Sequence, residues 1–486
     1  MERVAVIGAG PGGLAAARWL RECGFDPWIY ESHSALGGQW NNANPLSGIW
    51  PQMRTNTYIA TTQFSDLDHP PGTAIFPRNG EILDHLEAYA RQFDLLANAS
   101  FDTTLKALEQ SDDCYRLTFA TREGDEEVEA DRVVIATGRY NKPKIPPIAG
   151  LDGFTGRLGV LHAHRYKSPD MFRGARVLVA GGAISALEIA SDLAMLGAQS
   201  VHLAQRRQRY VMPKMVRGVP FEYYGFTYAQ AARTPEPDIE KARDDLRRFA
   251  LRYGGDPARY GAPAPASDTL AAGFTGSQHY LNLVAEDRIR PVPWITSIAG
   301  ETVSFADGTS IEADAIIFGT GFDLNLPFLS DPMRDVLEAD DRGLTLADFT
   351  THPGLPNLAF VGMFAQNGGY ITVLEQQARY LAYLWSGLVA RTPGQFAQAL
   401  AEARRERQTD YQDQHMMALR FARLCGTDPA GQVDEDLLAT VRTSATTSLI
   451  YRLAGPHALP DAEARFRASF DRYGPISDRE TADEHP

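Results

Sequence analysis

Val4-Ala5-Val6-Ile7-Gly8-Ala9-Gly10-Pro11-Gly12-Gly13 is an apolar strand pattern entering a glycine turn, and Leu14 to Cys23 carries it on with helical character. Gly8, Gly10 and Gly13 match G-x-G-x-x-G. In that pattern the turn is tight, the backbone lets a pyrophosphate approach, and the free N–H groups of the helix N-terminus face the anion. A second strand, Pro27-Trp28-Ile29-Tyr30, ends in Glu31, whose carboxylate is placed to accept from a ribose hydroxyl. The segment predicts a dinucleotide-binding unit. A glycine turn serving packing alone is the competing reading, and the strand-helix-strand context weighs against it.

The plan occurs twice. Val177-Leu178-Val179-Ala180-Gly181-Gly182-Ala183-Ile184-Ser185-Ala186, followed by Leu187 to Leu196, repeats strand, turn and helix. Gly181, Gly182, Ser185 and Ala186 are its candidate cofactor contacts. Ala183 stands where the second glycine is expected, and its methyl would crowd a pyrophosphate. Where the first unit has Glu31, the strand Ser200 to Ala204 runs into Gln205-Arg206-Arg207. An acid repels a 2′-phosphate, whereas Arg206 and Arg207 pair with it, so NADPH is expected over NADH. The alternative is a solvated basic turn. Glu129 to Gly138 is echoed by Glu312 to Gly321, which adds Thr137, Gly138, Thr320 and Gly321 to the candidates.

Composition narrows the partners. The 486 residues are 44% hydrophobic and 22% charged, enough for two domains with cores of their own. With 47 Lys and Arg against 61 Asp and Glu, a net charge of -14 argues against nucleic acid or an anionic membrane surface and for small-molecule partners. The chain runs from Met1-Glu2-Arg3 into its first strand with no room for a signal peptide, so a cytoplasmic location is expected. No apolar run reaches the ~18 residues of a membrane span, and the polar stretch Ser477 to Glu484 argues against a tail anchor. Cys23, Cys114 and Cys425 form no Cys-x-x-Cys pair, which weighs against a disulfide relay. No metal site is expected.

Further segments resemble the flavin-containing monooxygenase family over most of the chain. Gly37-Gly38-Gln39-Trp40 is similar to its Gly-Gly-x-Trp loop near the flavin, and Arg54-Thr55-Asn56-Thr57 with Phe64-Ser65-Asp66 resembles its Thr-Asn segment. Phe154-Thr155-Gly156 with His162 to Tyr166 resembles the fingerprint F-x-G-x-x-x-H-x-x-x-Y, with five residues instead of three between Gly156 and His162. Gly319-Thr320-Gly321-Phe322, Leu358 to Gly362, Glu375-Gln376-Gln377-Ala378-Arg379 and Tyr451 to Pro456 match later family elements. The resemblance implies FAD and NADPH as cofactors. It also implies Gly38, Gln39, Trp40, His162, Tyr166 and Gln376 as cofactor-site residues, and Asn56 as the polar group beside the flavin.

The expected architecture is α/β with two Rossmann-like domains, the NADPH domain inserted in the FAD domain. The FAD domain takes 1–157 and 322–486 and the NADPH domain 158–321, with the proline-rich Lys142 to Pro147 at the first crossing. Residues 226–276, with a helix from Asp238 to Tyr253 and a loop at Gly261 to Pro265, form an insertion that covers the site, meets another subunit or decorates the surface. Helices are expected from Pro393 on, as over Phe396 to Arg407. On oligomeric state, including a homo-oligomer, the sequence is silent. The family's reaction is reduction of FAD by NADPH, addition of O2 at carbon 4a, and transfer of oxygen from that hydroperoxide to nitrogen or sulfur. The alternatives are a Baeyer–Villiger monooxygenase, whose fingerprint usually closes with tryptophan where Tyr166 stands, an NADPH oxidase or reductase, and a nucleotide-sensing module.

Overall fold

The computed structural model describes residues 2–111, 114–406 and 411–475. Strand Arg3–Ile7 leads through Gly10 into helix Pro11–Glu22 and back to strand Asp26–Tyr30, parallel to the first with Arg3 opposite Asp26 and Ile7 opposite Tyr30. Val4, Ala5 and Val6 are wholly buried, as a parallel strand covered on both faces requires. The sheet reads 358–360, 132–135, 3–7, 26–30, 99–100 from edge to edge, parallel throughout.

The second sheet reads 159–162, 315–318, 176–180, 200–204, 290–292, again all parallel, and helix Ile184–Leu196 follows strand Arg176–Ala180. The repetition extends to three-stranded antiparallel meanders, 104–130 ahead of strand Arg132–Ile135 and 295–312 ahead of strand Ala315–Phe318. One strand differs in origin. Leu358–Phe360 joins its sheet after the second unit is complete, whereas its counterpart Gly159–His162 precedes the rest of its own sheet. The chain therefore leaves the first unit before that sheet is finished and returns to finish it. The fold is α/β with two Rossmann-like domains, the second inserted in the first. The outgoing and returning linkers lie side by side, with Lys142–Pro143 antiparallel to Phe322–Asp323 and Lys144 Nζ 2.7 Å from an Asp323 carboxylate oxygen.

Helix Pro11–Glu22 packs on the first sheet, helix Tyr370–Ser386 packs on that helix and helix Gln414–Cys425 on Tyr370–Ser386 in turn, burying Trp19, Tyr380 and Phe421. A buried ionic cluster ties segments far apart in sequence. Ser65 N donates to Glu375 at 2.8 Å, and Arg452 Nη1 donates to Ser65 Oγ at 2.8 Å and Asp66 at 2.9 Å. Arg379, also fully buried, donates to the Tyr451 carbonyl at 2.8 Å. The segments around Ser65, Glu375 and Arg452 thus hold one another. Pairing and hydrogen bonding offset the cost of burying those charges.

The insertion contains helix Ile239–Tyr253, with Asp238 capping it by accepting from the N–H groups of Glu240 and Lys241. Its first helix, Tyr228–Ala232, packs into the core of the first unit, where the Tyr228 hydroxyl donates to Asp428. Its last strand, Phe274–Gly276, pairs with Tyr210–Met212 of the second unit. The insertion therefore bridges both units. Helix Pro393–Glu406 forms where the sequence predicts one, while Arg407 and Ser477 to Glu484 lie outside the described residues. Among the described residues no helix is long and apolar enough to cross a membrane, and no group of three or more His, Cys, Asp or Glu is placed to hold a metal.

Candidate active site

The first glycine turn separates two kinds of glycine. Gly8 has φ +110°, and a Cβ there would lie 2.6 Å from the Ala136 carbonyl oxygen; one on Gly13 would lie 1.8 Å from the Gly8 oxygen. The fold itself demands those two. Gly10 has an ordinary φ of -77°, and a Cβ on it would meet only Gly38 Cα, at 3.6 Å. It is the N-cap of a helix that no side chain caps. Packing does not force this glycine, so the space a methyl would fill fits a phosphate at the helix N-terminus.

Glu31 is buried at the end of the neighbouring strand. Its Oε2 accepts from Ala9 N at 2.7 Å, and Oε1 accepts from His33 N at 2.8 Å and Ser32 Oγ at 3.1 Å. A carboxylate offers about four lone-pair sites, so one acceptor position is left for a ribose hydroxyl. Gln39 is fully engaged by protein: Oε1 accepts from Gly48 N at 2.7 Å, and Nε2 donates to the Leu46 and Tyr140 carbonyls at 2.9 and 3.2 Å. It fixes the loop carrying Gly38, while half-buried Trp40 packs on the first core. Thr137 Oγ1, both polar atoms of the Gln376 side chain and Asn56 Oδ1 are buried without a protein partner. Unpartnered buried polar groups cost about 1–3 kcal/mol each. They fit the polar edges of a bound flavin dinucleotide. Gly138, at φ +74°, would present a Cβ to open space.

In the second unit Gly181, at φ +147°, would bring a Cβ within 2.4 Å of the Gly319 oxygen. Ala183 is the N-cap of helix Ile184–Leu196, again without a side-chain cap, so it occupies the place of Gly10. Gly182 faces the Arg207 carbonyl and Gln205 Oε1, each 3.5 Å from where a Cβ on it would lie. Ser185 is exposed on the first turn and Ala186 is buried. Arg206 and Arg207 are both exposed at the end of their strand. The Arg206 guanidinium lies 4.7 Å over the Trp294 ring, and Arg207 Nη1 donates to the Ala271 carbonyl at 2.6 Å. Stacking and a carbonyl anchor orient two cations beside the turn.

The two crossing segments receive the remaining candidates. His162 ends its strand with Nδ1 accepting from His164 N at 3.1 Å, its ring edge-on to Phe322 and Nε2 buried without a partner. Burial lowers its pKa to about 4, so the ring is neutral near pH 7. Tyr166 sits in the core of the second unit, edge-on to Trp50 at 5.2 Å and stacked on Phe172, with its hydroxyl buried and without a protein partner. Thr320 Oγ1 donates to the Lys144 carbonyl, and the Gly321 oxygen accepts from Lys144 N at 3.0 Å.

Asn56 lies on the segment that meets the second unit. Trp50 Nε1 donates to Asp192 at 2.8 Å, and Lys214 Nζ reaches the Thr55 carbonyl at 3.4 Å and Glu188 at 3.2 Å. Glu222 Oε1 accepts from Tyr58 N at 2.8 Å. Asp192 and Glu188 both project from helix Ile184–Leu196, which begins at the second glycine turn. These four partners have no motif in the sequence that announces them.

A family model described as flavin-binding monooxygenase-like matches residues 1–481. The chain belongs to that family. It is 27% identical to the 4-hydroxybenzoate brominase (decarboxylating) of Marinomonas mediterranea, over 96% of this chain and 93% of that one. It is also 27% identical to the rat dimethylaniline monooxygenase (N-oxide-forming) 2, over 81% of this chain and 75% of that one. The S-allyl-L-cysteine S-oxygenase of Allium sativum shares its fold, with a TM-score of 0.64 at 21% identity over 99% of this chain and 96% of the other. This flavin-binding monooxygenase is an oxidoreductase that uses FAD and NADPH.

Proposed function

We propose that the enzyme oxygenates a nitrogen or sulfur centre of a small molecule, with FAD on the unit of Gly8, Gly10, Gly13 and Glu31 and NADPH on the unit of Gly181 and Arg206. FAD, when bound, takes a hydride from NADPH and activates O2, so that one oxygen atom enters the substrate and the other leaves as water. The chain's own residues supply placement. Gly10 and Gly38 leave room for the pyrophosphate, Glu31 orients the ribose, and Arg206 with Arg207 selects the 2′-phosphate. Asn56 carries the reading: its Oδ1 is buried and unpartnered on the segment where the two units meet. A neutral amide there donates and accepts without exchanging a proton, which suits oxygen transfer to a soft nucleophile. The N-oxide formation named for the rat relative and the S-oxygenation named for the Allium sativum enzyme support the same class.

The test is product analysis in ¹⁸O₂ with panels of tertiary amines, thioethers and ketones. One labelled atom on nitrogen or sulfur is the expected result. Label inserted beside a ketone carbonyl indicates Baeyer–Villiger chemistry, and label recovered only in hydrogen peroxide indicates an oxidase. Either outcome overturns the proposal.

A further inference from the structure

Lys214 and Glu222 belong to one short segment of the second unit, on either side of the hairpin formed by Met215–Val216 and Val219–Pro220. Across the seam, the Lys214 ammonium reaches the carbonyl of Thr55, immediately before Asn56, while the Glu222 carboxylate accepts the amide of Tyr58, two residues after it. The lysine is itself held by Glu188, whose other oxygen accepts from Ser277 Oγ at 3.0 Å. Side-chain exposure is 12% for Lys214 and 17% for Glu188, so their attraction is only partly screened by water. Glu222 is 2% exposed and, among the described residues, no ion pair joins it, an arrangement costly enough to need a compensating use. Beside it lie Tyr58 and Tyr223, whose rings are 5.5 Å apart, and Tyr473 packs edge-on to Tyr58 at 5.9 Å.

We infer that Lys214 and Glu222 are positioning residues for Asn56, a clamp through which the helix opening at the second glycine turn sets the geometry of the first unit's oxygen-reacting site. The inference rests on the proposed role of Asn56. The groups facing Glu222 are Lys214, Tyr58 and Tyr223, and only the first is cationic. Burial pushes the Glu222 carboxyl up to about 7. The carboxylate is the better acceptor for Tyr58 N–H, so the clamp tightens as the pH rises through that value.

The experiment measures hydrogen peroxide released per NADPH oxidised in the holoenzyme, with FAD content as a check on folding. Lys214→Met and Glu222→Gln should each raise the peroxide share at least about threefold, and Lys214→Arg should bring it back toward the wild-type value. In the wild type the share should climb as pH falls below about 7, and Glu222→Gln should flatten that profile, a response that a packing role alone would not produce. Asn56→Ala should raise the share as much, and Asn56→Ala with Lys214→Met no further, because both act on one group. Unchanged leakage in the clamp variants, or effects that add to that of Asn56→Ala, overturns the inference. If Asn56→Ala alone leaves the share unchanged, the reading of Asn56 falls and the clamp falls with it, and that single variant shows which has failed. Should Lys214→Met not retain flavin, the near-isosteric Glu222→Gln decides by its pH profile.

Discussion

The methyl group of Ala186 lies in the space that Gly319 leaves open, since a Cβ on Gly319 would come within 2.8 Å of it. In the first unit the corresponding positions are Gly13 on the helix and Ala136 after the strand, and there the glycine is fixed by the Gly8 carbonyl oxygen, 1.8 Å from where a Cβ on Gly13 would lie. In the second unit the Ala186 methyl already fills the helix-strand contact. Gly319→Ala puts two there, and overpacking of this kind costs about 1–3 kcal/mol. The melting temperature should drop and KM for NADPH should rise, with FAD content unchanged. Adding Ala186→Gly should recover part of the loss. A Gly319→Ala protein as stable as the wild type would show that the contact relaxes freely.

Gly10 gives the opposite expectation. A methyl there makes only ordinary contact with Gly38, so Gly10→Ala should fold and melt normally in the absence of added FAD. The loss should appear in the flavin itself, as a lower fraction bound after gel filtration. Full flavin occupancy in this variant would remove the pyrophosphate from Gly10.

Arg206 and Arg207 are oriented by Trp294 and Ala271, and among the described residues neither is paired with a carboxylate. Replacing both with alanine removes charge-assisted bonds worth on the order of 1.5 to 3 kcal/mol, roughly ten- to a hundred-fold in NADPH affinity. NADH should be spared. Titrations in which both cofactors weaken equally would make these arginines structural.

For Asn56→Ala the expected change comes after oxygen has bound. Losing one preorganised hydrogen bond at a reacting centre costs about 2.7–4 kcal/mol where it stabilises charge. Flavin content should hold, while oxygenated product per NADPH should fall and peroxide rise. Rapid mixing of the reduced protein with O2, monitored through the return of oxidised flavin, should show that return accelerated. An unchanged trace with unchanged coupling would take Asn56 out of the chemistry.

Glu222 links pH to stability. Its carboxyl is raised by burial from 4.5 to about 7, so below 4.5 both folded and unfolded chains carry the proton and the penalty is absent. As pH rises from there the unfolded chain ionises first, and stability is lost until the folded group ionises too, by at most on the order of 3 kcal/mol. Glu222→Gln should therefore raise the melting temperature more at about pH 8 than at about pH 5. Equal shifts at both would mean that the buried group does not titrate there.

Local sequence was enough for the strand-turn-helix units, because a parallel strand must be apolar on both faces, and the turn admits glycine alone at Gly8, where φ is positive beside the Ala136 carbonyl, and at Gly13, where the helix meets the Gly8 carbonyl. The repeat exposed the double plan, and Asp238 announced its helix by its own capping chemistry. Tertiary structure decided the rest. Glycine letters do not distinguish Gly13, required by the Gly8 carbonyl, from Gly10, which has room; that needed the position of Gly38. Nor does sequence show that Glu375 serves a buried ionic cluster and Arg379 holds the Tyr451 carbonyl, while Gln376 between them keeps both polar atoms unpartnered. The seam at Asn56 depends on Lys214 and Glu222, which lie 159 and 164 positions along the chain from the Thr55 and Tyr58 backbone groups they hold. Hydrogen-bonding partners so distant are chosen by how two folded units dock, and no local periodicity or propensity carries that information.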